Sequence, residues 1–162
     1  MNVVELTTVE TYPLRFAVLR RDTPTKQVSF PEDDGQGTCH LGIRDHRGQV
    51  VAVSSWVPRN CPAVPSQRGI QLRGMATHPD HQGQGVGGLL LETGTLRAQS
   101  SGFDLLWANA RDVALDFYRH HACQVVGDGF IDENTQLPHH LVIRWLADLS
   151  AVSSTSSSSK RR

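Results

Sequence analysis

Residues 77–91 read Thr77-His78-Pro79-Asp80-His81-Gln82-Gly83-Gln84-Gly85-Val86-Gly87-Gly88-Leu89-Leu90-Leu91. The run before them, Ile70–Thr77, is strand-like, and Pro79 ends it. Gly85–Gln99 reads as a helix, with Val86, Leu89, Leu90, Thr93 and Leu96 near a 3.6-residue spacing. A strand therefore enters a glycine-dense turn that opens straight into a helix. Glycines let the backbone approach a ligand without a Cβ in the way, and the first N–H groups of a helix have no intrahelical acceptor. With the positive end of the helix dipole, that makes an anion site suited to phosphate. Residues 77–91 contain no Lys or Arg, so backbone amides would do the holding. Four glycines between 83 and 88 are costly at a helix start unless something must come close.

On either side, strand and helix patterns alternate. Asn2–Leu6 reads as a short strand, Thr11–Leu19 as a helix burying Leu14, Phe16–Val18 and Leu19, and Arg21–Gly37 as a long loop. Cys39–Arg44 and Gln49–Val57 form a hairpin across Asp45-His46-Arg47-Gly48, and Cys61–Arg68 is a second loop. Phe103–Ala108 is a short apolar run, the pattern of a buried strand. Ala110–His121 reads as a helix, and Gln124–Gly127 and Leu141–Trp145 as closing strands. The order β-α-β-β-β-α-β-α-β-β predicts an α/β (α+β) domain with a mixed sheet, not a regular βα winding.

The chain has 162 residues, 16 Lys+Arg against 16 Asp+Glu, 38% hydrophobic residues and mean hydropathy −0.32. That predicts one soluble domain able to build a core unaided. Three cysteines, Cys39, Cys61 and Cys123, exclude a closed disulfide framework and a four-thiolate zinc site and fit reduced thiols. Residues 150–162, SAVSSTSSSSKRR, are expected to form a disordered tail after a domain at 1–149. Removing the tail's three basic residues leaves 13 basic against 16 acidic ones in the domain. Such a balance argues against nucleic acid and very acidic acceptors. The N-terminus lacks a signal-peptide pattern, and no apolar run reaches the ~20 residues of a membrane span, so a cytoplasmic protein without a membrane partner is expected.

Two kinds of phosphate ligand fit the glycine turn. Gly83, Gly85 and Gly88 satisfy G-x-G-x-x-G, a weak match to dinucleotide binding. An acidic residue should then follow the next strand, but Asp104 precedes Leu105-Leu106-Trp107. A P-loop is excluded because no Gly-Lys-Ser/Thr follows. The second fit is to Q/R-x-x-G-x-G/A: Gln82-Gly83-Gln84-Gly85-Val86-Gly87 resembles the acyl-CoA pyrophosphate loop of the GNAT superfamily of N-acetyltransferases. Leu72–Pro79 resembles that family's central strand and its exit. Trp107-Ala108-Asn109-Ala110-Arg111 with Ala114-Leu115-Asp116-Phe117-Tyr118 resembles its next strand and helix.

The resemblance implies a largely antiparallel sheet flanked by helices and splayed at an acyl-CoA site. Met75, Ala76 and Thr77 would offer backbone groups to the pantetheine arm. The amides of Gly83, Gln84, Gly85, Val86, Gly87 and Gly88 would hold the pyrophosphate, with Gln82 at the loop entry. Asn109 would bond the cofactor arm, and Ala114 and Phe117 would line its channel. Acetyl-CoA would be the co-substrate, with no metal, because the thioester is already activated. Tyr118 is the candidate acid that protonates the leaving thiolate. The Met75 N–H is a candidate donor to the developing oxyanion. The base is less defined: Ile70–Thr77 holds no acid, Glu32, Asp33 and Asp34 lie in the long loop, and His139 of Leu137-Pro138-His139 is preferred.

The expected activity is direct acetyl transfer to a primary amine of a small molecule, peptide or protein. A non-catalytic acyl-CoA-binding module and a nicotinamide-dependent oxidoreductase are the alternatives. Dimers are common on this fold, and that analogy alone points to a homodimer.

Overall fold

The computed structural model describes residues 1–146. The expected domain end at 149 and the tail at 150–162 lie outside them. Seven strands, β1 (Val3–Leu6), β2 (Cys39–Arg44), β3 (Val50–Pro58), β4 (Gly69–Thr77), β5 (Leu105–Arg111), β6 (Gln124–Ile131) and β7 (Pro138–Trp145), form one sheet in the order β1-β2-β3-β4-β5-β7-β6. Every pairing is antiparallel except β4 with β5, so the sheet is mixed and largely antiparallel as expected. The helices are α1 (Thr8–Leu14), α2 (Val86–Ser100) and α3 (Leu115–His120).

The β4–β5 pairing covers only Gly69–Gln71 against Leu105–Trp107. Past those three pairs β4 stays bonded to β3 and β5 to β7, while the edges facing each other separate. A bulge lies on β4 at the same level. Val53 pairs with Ala76 and Ser55 with Arg73, so Ser54 opposes both Gly74 and Met75. Gly74 has φ +58°, and a Cβ there would lie 2.8 Å from the Phe30 ring and 3.0 Å from Arg15 Nε. Only glycine fits that corner.

One face of the sheet is covered by α2 and α3, whose Leu90, Leu91, Ala98, Leu115 and Tyr118 join Leu41, Ile43, Trp56, Leu72 and Leu106 in the main core. On the other side α1 sets Leu14 against Leu6, Val53 and Ala76. The loop around Cys61 packs with Leu105, Trp107 and Ile143.

Several boundaries differ from the sequence expectation for identifiable reasons. The first helix begins at Thr8, because the Glu10 carboxylate accepts the Thr7 N–H. After Leu14, residues Arg15–Leu19 widen into a π-type turn. This turn buries Arg15 completely and leaves Phe16 55% exposed, the reverse of the hydrophobic ordering. On α2 the buried face is Val86, Leu90, Leu91, Gly94, Thr95 and Ala98; Leu89 and Leu96 are exposed. Ala110 and Arg111 extend β5 because they pair with His140 and His139, so α3 starts only at Leu115. β6 runs past Gly127 (φ +75°) through an irregularity to Ile131. The dinucleotide alternative is not supported: β4 lies between an antiparallel neighbour and a parallel one held by three pairs, not in a βαβ winding.

Candidate active site

Two clefts open where β4 and β5 part. The larger, about 930 Å³, runs along Met75, Ala76 and Thr77, past Gln82, Gly83, Gly85, Val86, Gly87 and Gly88, and under Val113, Ala114, Phe117 and Tyr118. Gly83 and Gly85 have φ +74° and +78°, and nothing lies within 4 Å of where their Cβ atoms would be. Gly85 precedes the first turn of α2, so the N–H groups that follow it have no intrahelical acceptor. Gln82 folds back, its Nε2 donating to the Thr77 carbonyl at 3.0 Å. Gln84 donates to the Asp80 carbonyl at 3.2 Å and does not line the cleft. His81, His120 and His121 do line it, although no motif pointed to them.

The smaller cleft, about 270 Å³, lies on the other side of the same opening. Asn109 belongs to it and not to the larger one. Its wall also holds Arg20, Gln71, Arg73, Arg111, Asp132 and His139. Met75, Ala114 and Tyr118 line both clefts and so mark the junction. None of the acidic residues of the long loop lines the smaller cleft. Glu32 is engaged by Arg73 at 2.7 Å and Arg59 at 3.3 Å, Asp33 by Arg15 at 2.8 Å, and Asp34 accepts from the Thr8 hydroxyl at 2.6 Å.

A family model described as the acetyltransferase (GNAT) domain matches residues 34–121, from the strands of the first hairpin through the glycine turn to the end of α3. The chain belongs to the GNAT acetyltransferase family. It is 27% identical over 130 residues to the N-acetyltransferase YitI of Bacillus subtilis (strain 168), covering 80% of this chain and 87% of that one. Among solved structures it superimposes on Escherichia coli ElaA with a TM-score of 0.73 at 14% identity, covering 89% of this chain and 99% of the other. An aminoglycoside 6′-N-acetyltransferase complexed with coenzyme A gives 0.70 at 11% identity, covering 91% and 98%. At these identities the structural matches show the shared fold, and the family membership makes the chain an acetyltransferase.

At the junction of this GNAT fold, Tyr118 is buried, which pushes its phenol well above the ordinary tyrosine value, with Cys123 nearby adding to the effect. The hydroxyl is therefore held protonated. His139 is also buried; its Nδ1 lies 2.8 Å from the Leu137 carbonyl. A carbonyl only accepts, so Nδ1 carries the hydrogen and, in the neutral ring, Nε2 carries the lone pair. Phe130 stacks on this imidazole at 5.8 Å. The next residue, His140, is engaged elsewhere, with its Nδ1 2.6 Å from Asp112 Oδ1. Burial pushes the Cys123 thiol up to about 11, and the cysteine lines neither cleft. Among the described residues no three His, Cys, Asp or Glu side chains gather as a metal site, and no helix is long and apolar enough to cross a membrane.

Proposed function

We propose that this protein transfers the acetyl group of acetyl-CoA directly to a primary amine. The observation that carries the reading is the junction: one cleft has the amide-rich loop that suits a pyrophosphate, the other is polar and small, and Met75, Ala114 and Tyr118 belong to both. In this reading Gly83–Gly88 hold the pyrophosphate through backbone amides. Met75–Thr77, whose strand has no partner on its β5 side past Gln71, pair with the pantetheine arm.

The amine nitrogen, once deprotonated by His139 Nε2, attacks the thioester carbonyl carbon. The carbonyl oxygen gains charge and is met by the Met75 N–H. As the C–S bond breaks, Tyr118 gives its proton to the departing sulfur, yielding free CoA thiol and the acetamide. The nitrogen sheds a second proton as the tetrahedral intermediate collapses; that proton restores Tyr118, while the one held by His139 passes to solvent, so each turnover of an ammonium substrate releases one proton. Asn109, in the smaller cleft, positions the acceptor side of the reaction. The three free cysteines fit a reducing cytoplasmic setting.

Calorimetric titration with acetyl-CoA, with NADH as control, followed by an amine screen with detection of free thiol, tests the proposal. Heat with acetyl-CoA and thiol release with an amine support it. Binding without turnover across the screen points to a binding module, and no heat at millimolar acetyl-CoA removes the reading altogether.

A further inference from the structure

The smaller cleft holds more positive charge than its carboxylates balance. Arg73 is neutralised by Glu32, and Arg15, behind the bulge, by Asp33. Arg20 and Arg111 have no carboxylate within 4.0 Å among the described residues, although Arg20 is buried and Arg111 half-buried. Both turn to the same atom: Arg20 Nη1 and Arg111 Nη2 donate to the Leu19 carbonyl at 3.4 and 2.6 Å. Arg20 Nε also donates to the Gln27 carbonyl at 2.7 Å. Two guanidinium groups are thereby fixed side by side with most of their N–H donors uncommitted. Burial, then the charges of Arg111 and Arg15, push Arg20 below its ordinary value. Asp132, at the cleft wall, and the exposed Asp22 are the acids whose charge reaches Arg111, and Asp132 Oδ2 already accepts the Asn134 and Thr135 amides at 3.1 and 2.8 Å. Neither guanidinium is directly paired with a carboxylate, so an anion entering the cleft would meet two sets of charged donors still open to it.

A second, independent feature of the cleft is Gln71. It is 3% exposed, and its Oε1 has no hydrogen-bond partner. A ligand filling this cleft therefore meets a bare acceptor as well as a pair of cations. We propose that the acceptor substrate is a small amine that also carries a carboxylate, with the carboxylate on Arg20 and Arg111 and an N–H on Gln71. The assignment rests on the acetyl-transfer reading above. Register sets the scale: Arg111 and His139 are directly opposed on β5 and β7. The Cβ atoms of opposed residues sit about 5 Å apart, so both groups can serve one small molecule.

The experiment pairs each free amino acid with its carboxamide, together with phosphoethanolamine and a polyamine, in the thiol-release assay. The expected result is a kcat/KM at least tenfold higher for the amino acids than for their amides. Arg111→Gln should raise the amino-acid KM at least tenfold and leave acetyl-CoA affinity, measured by calorimetry on the same preparation, unchanged. Arg111→Lys should fall between. Equal use of amides, preference for the polyamine or for phosphoethanolamine, or an unaffected Arg111→Gln overturns the assignment. If no amine at all releases thiol, the acetyl-transfer reading fails, and thermal shift still decides the anion site. Propionate at 10 mM should then raise the Tm of the wild type by about 2 °C, with propionamide and the Arg111→Gln protein showing no shift. No difference between propionate and propionamide overturns it.

Discussion

Arg15 and Asp33 meet through two parallel hydrogen bonds of 2.8 Å, with the arginine wholly excluded from solvent and the carboxylate nearly so. The pair is embedded further: Arg15 also donates to the Val28 carbonyl and the Ser55 hydroxyl, and Asp33 accepts the Phe30 amide. Ser55 in turn sits 2.6 Å from His40 Nδ1, so the loop, the π-type turn and β2–β3 are tied at one point. Phe30 lies under the guanidinium at 4.1 Å. The long loop is thus anchored to the π-type turn and β3 by a charge pair.

Breaking that pair from one side leaves a buried charge alone. Asp33→Ala should lower unfolding free energy by about 3–5 kcal/mol in urea at pH 7. Burial opposes ionisation of Asp33, but the Arg15 bonds, the Phe30 amide and the Arg15 charge outweigh it and hold the carboxyl below its ordinary value. A carboxyl whose folded value is depressed contributes stability that is full above its unfolded value near 4 and is lost as pH falls through the folded one. Urea midpoints of the wild type should therefore drop steeply below about pH 4, and that part of the drop should be missing in Asp33→Ala. Equal acid slopes in both proteins would contradict the pairing.

Tyr118→Phe removes the candidate acid and keeps the ring that packs in the core and against Phe117 at 5.3 Å. Turnover should fall by roughly 10²–10⁴-fold with acetyl-CoA affinity nearly constant. Turnover within twofold of wild type takes Tyr118 out of the acid role.

His139→Ala removes the lone pair at Nε2 and opens a space beside Phe130. A drop in kcat of similar order, about 10²–10⁴-fold, is expected, with partial recovery on adding free imidazole. Loss of activity that imidazole cannot restore would mark His139 as a structural residue of the cleft wall.

Gly94 is on the buried face of α2, where a Cβ would come within 1.9 Å of Trp56 Cζ2. Trp56 cannot easily retreat, since it is buried and its indole N–H donates to the Ser54 hydroxyl at 2.9 Å. Gly94→Ala, which elsewhere in a helix would stabilise, should here cost at least about 1–3 kcal/mol, read as a lowered Tm. An unchanged or raised Tm would show that α2 can lift off β3 without penalty.

Local signals carried the frame of the molecule. The Gly83–Gly88 turn, the hairpin across Asp45–Gly48 and the apolar run of β5 are each specified by neighbours in sequence, and each was legible. Arg15 was not, because a buried arginine is justified only by Asp33, 18 residues away. The start of α1 was written in Thr7-Thr8-Val9-Glu10, a capping pattern that the stronger apolar run of Leu14–Leu19 obscured. The smaller cleft was the least visible part. Arg20, Gln71, Arg111 and Asp132 come from a turn, two strands and a loop, and no spacing links them until the sheet brings them together. Overall neutrality also concealed the guanidinium groups that gather at the smaller cleft.

The short parallel ladder between β4 and β5 has a mechanical consequence. With three residue pairs on one side of the opening, the sheet consists of a four-stranded and a three-stranded plate hinged along a seam, with Gln71 and Trp107 at its last stitch. A ligand strand laid into that seam would bond to one plate while its head group rests on α2 and its reactive end lies beside α3. Occupancy would then clamp the two plates together. Protection of the Leu72–Thr77 and Ala108–Arg111 amides from solvent exchange would rise together, making the rigidity of the whole sheet a readout of what the seam contains.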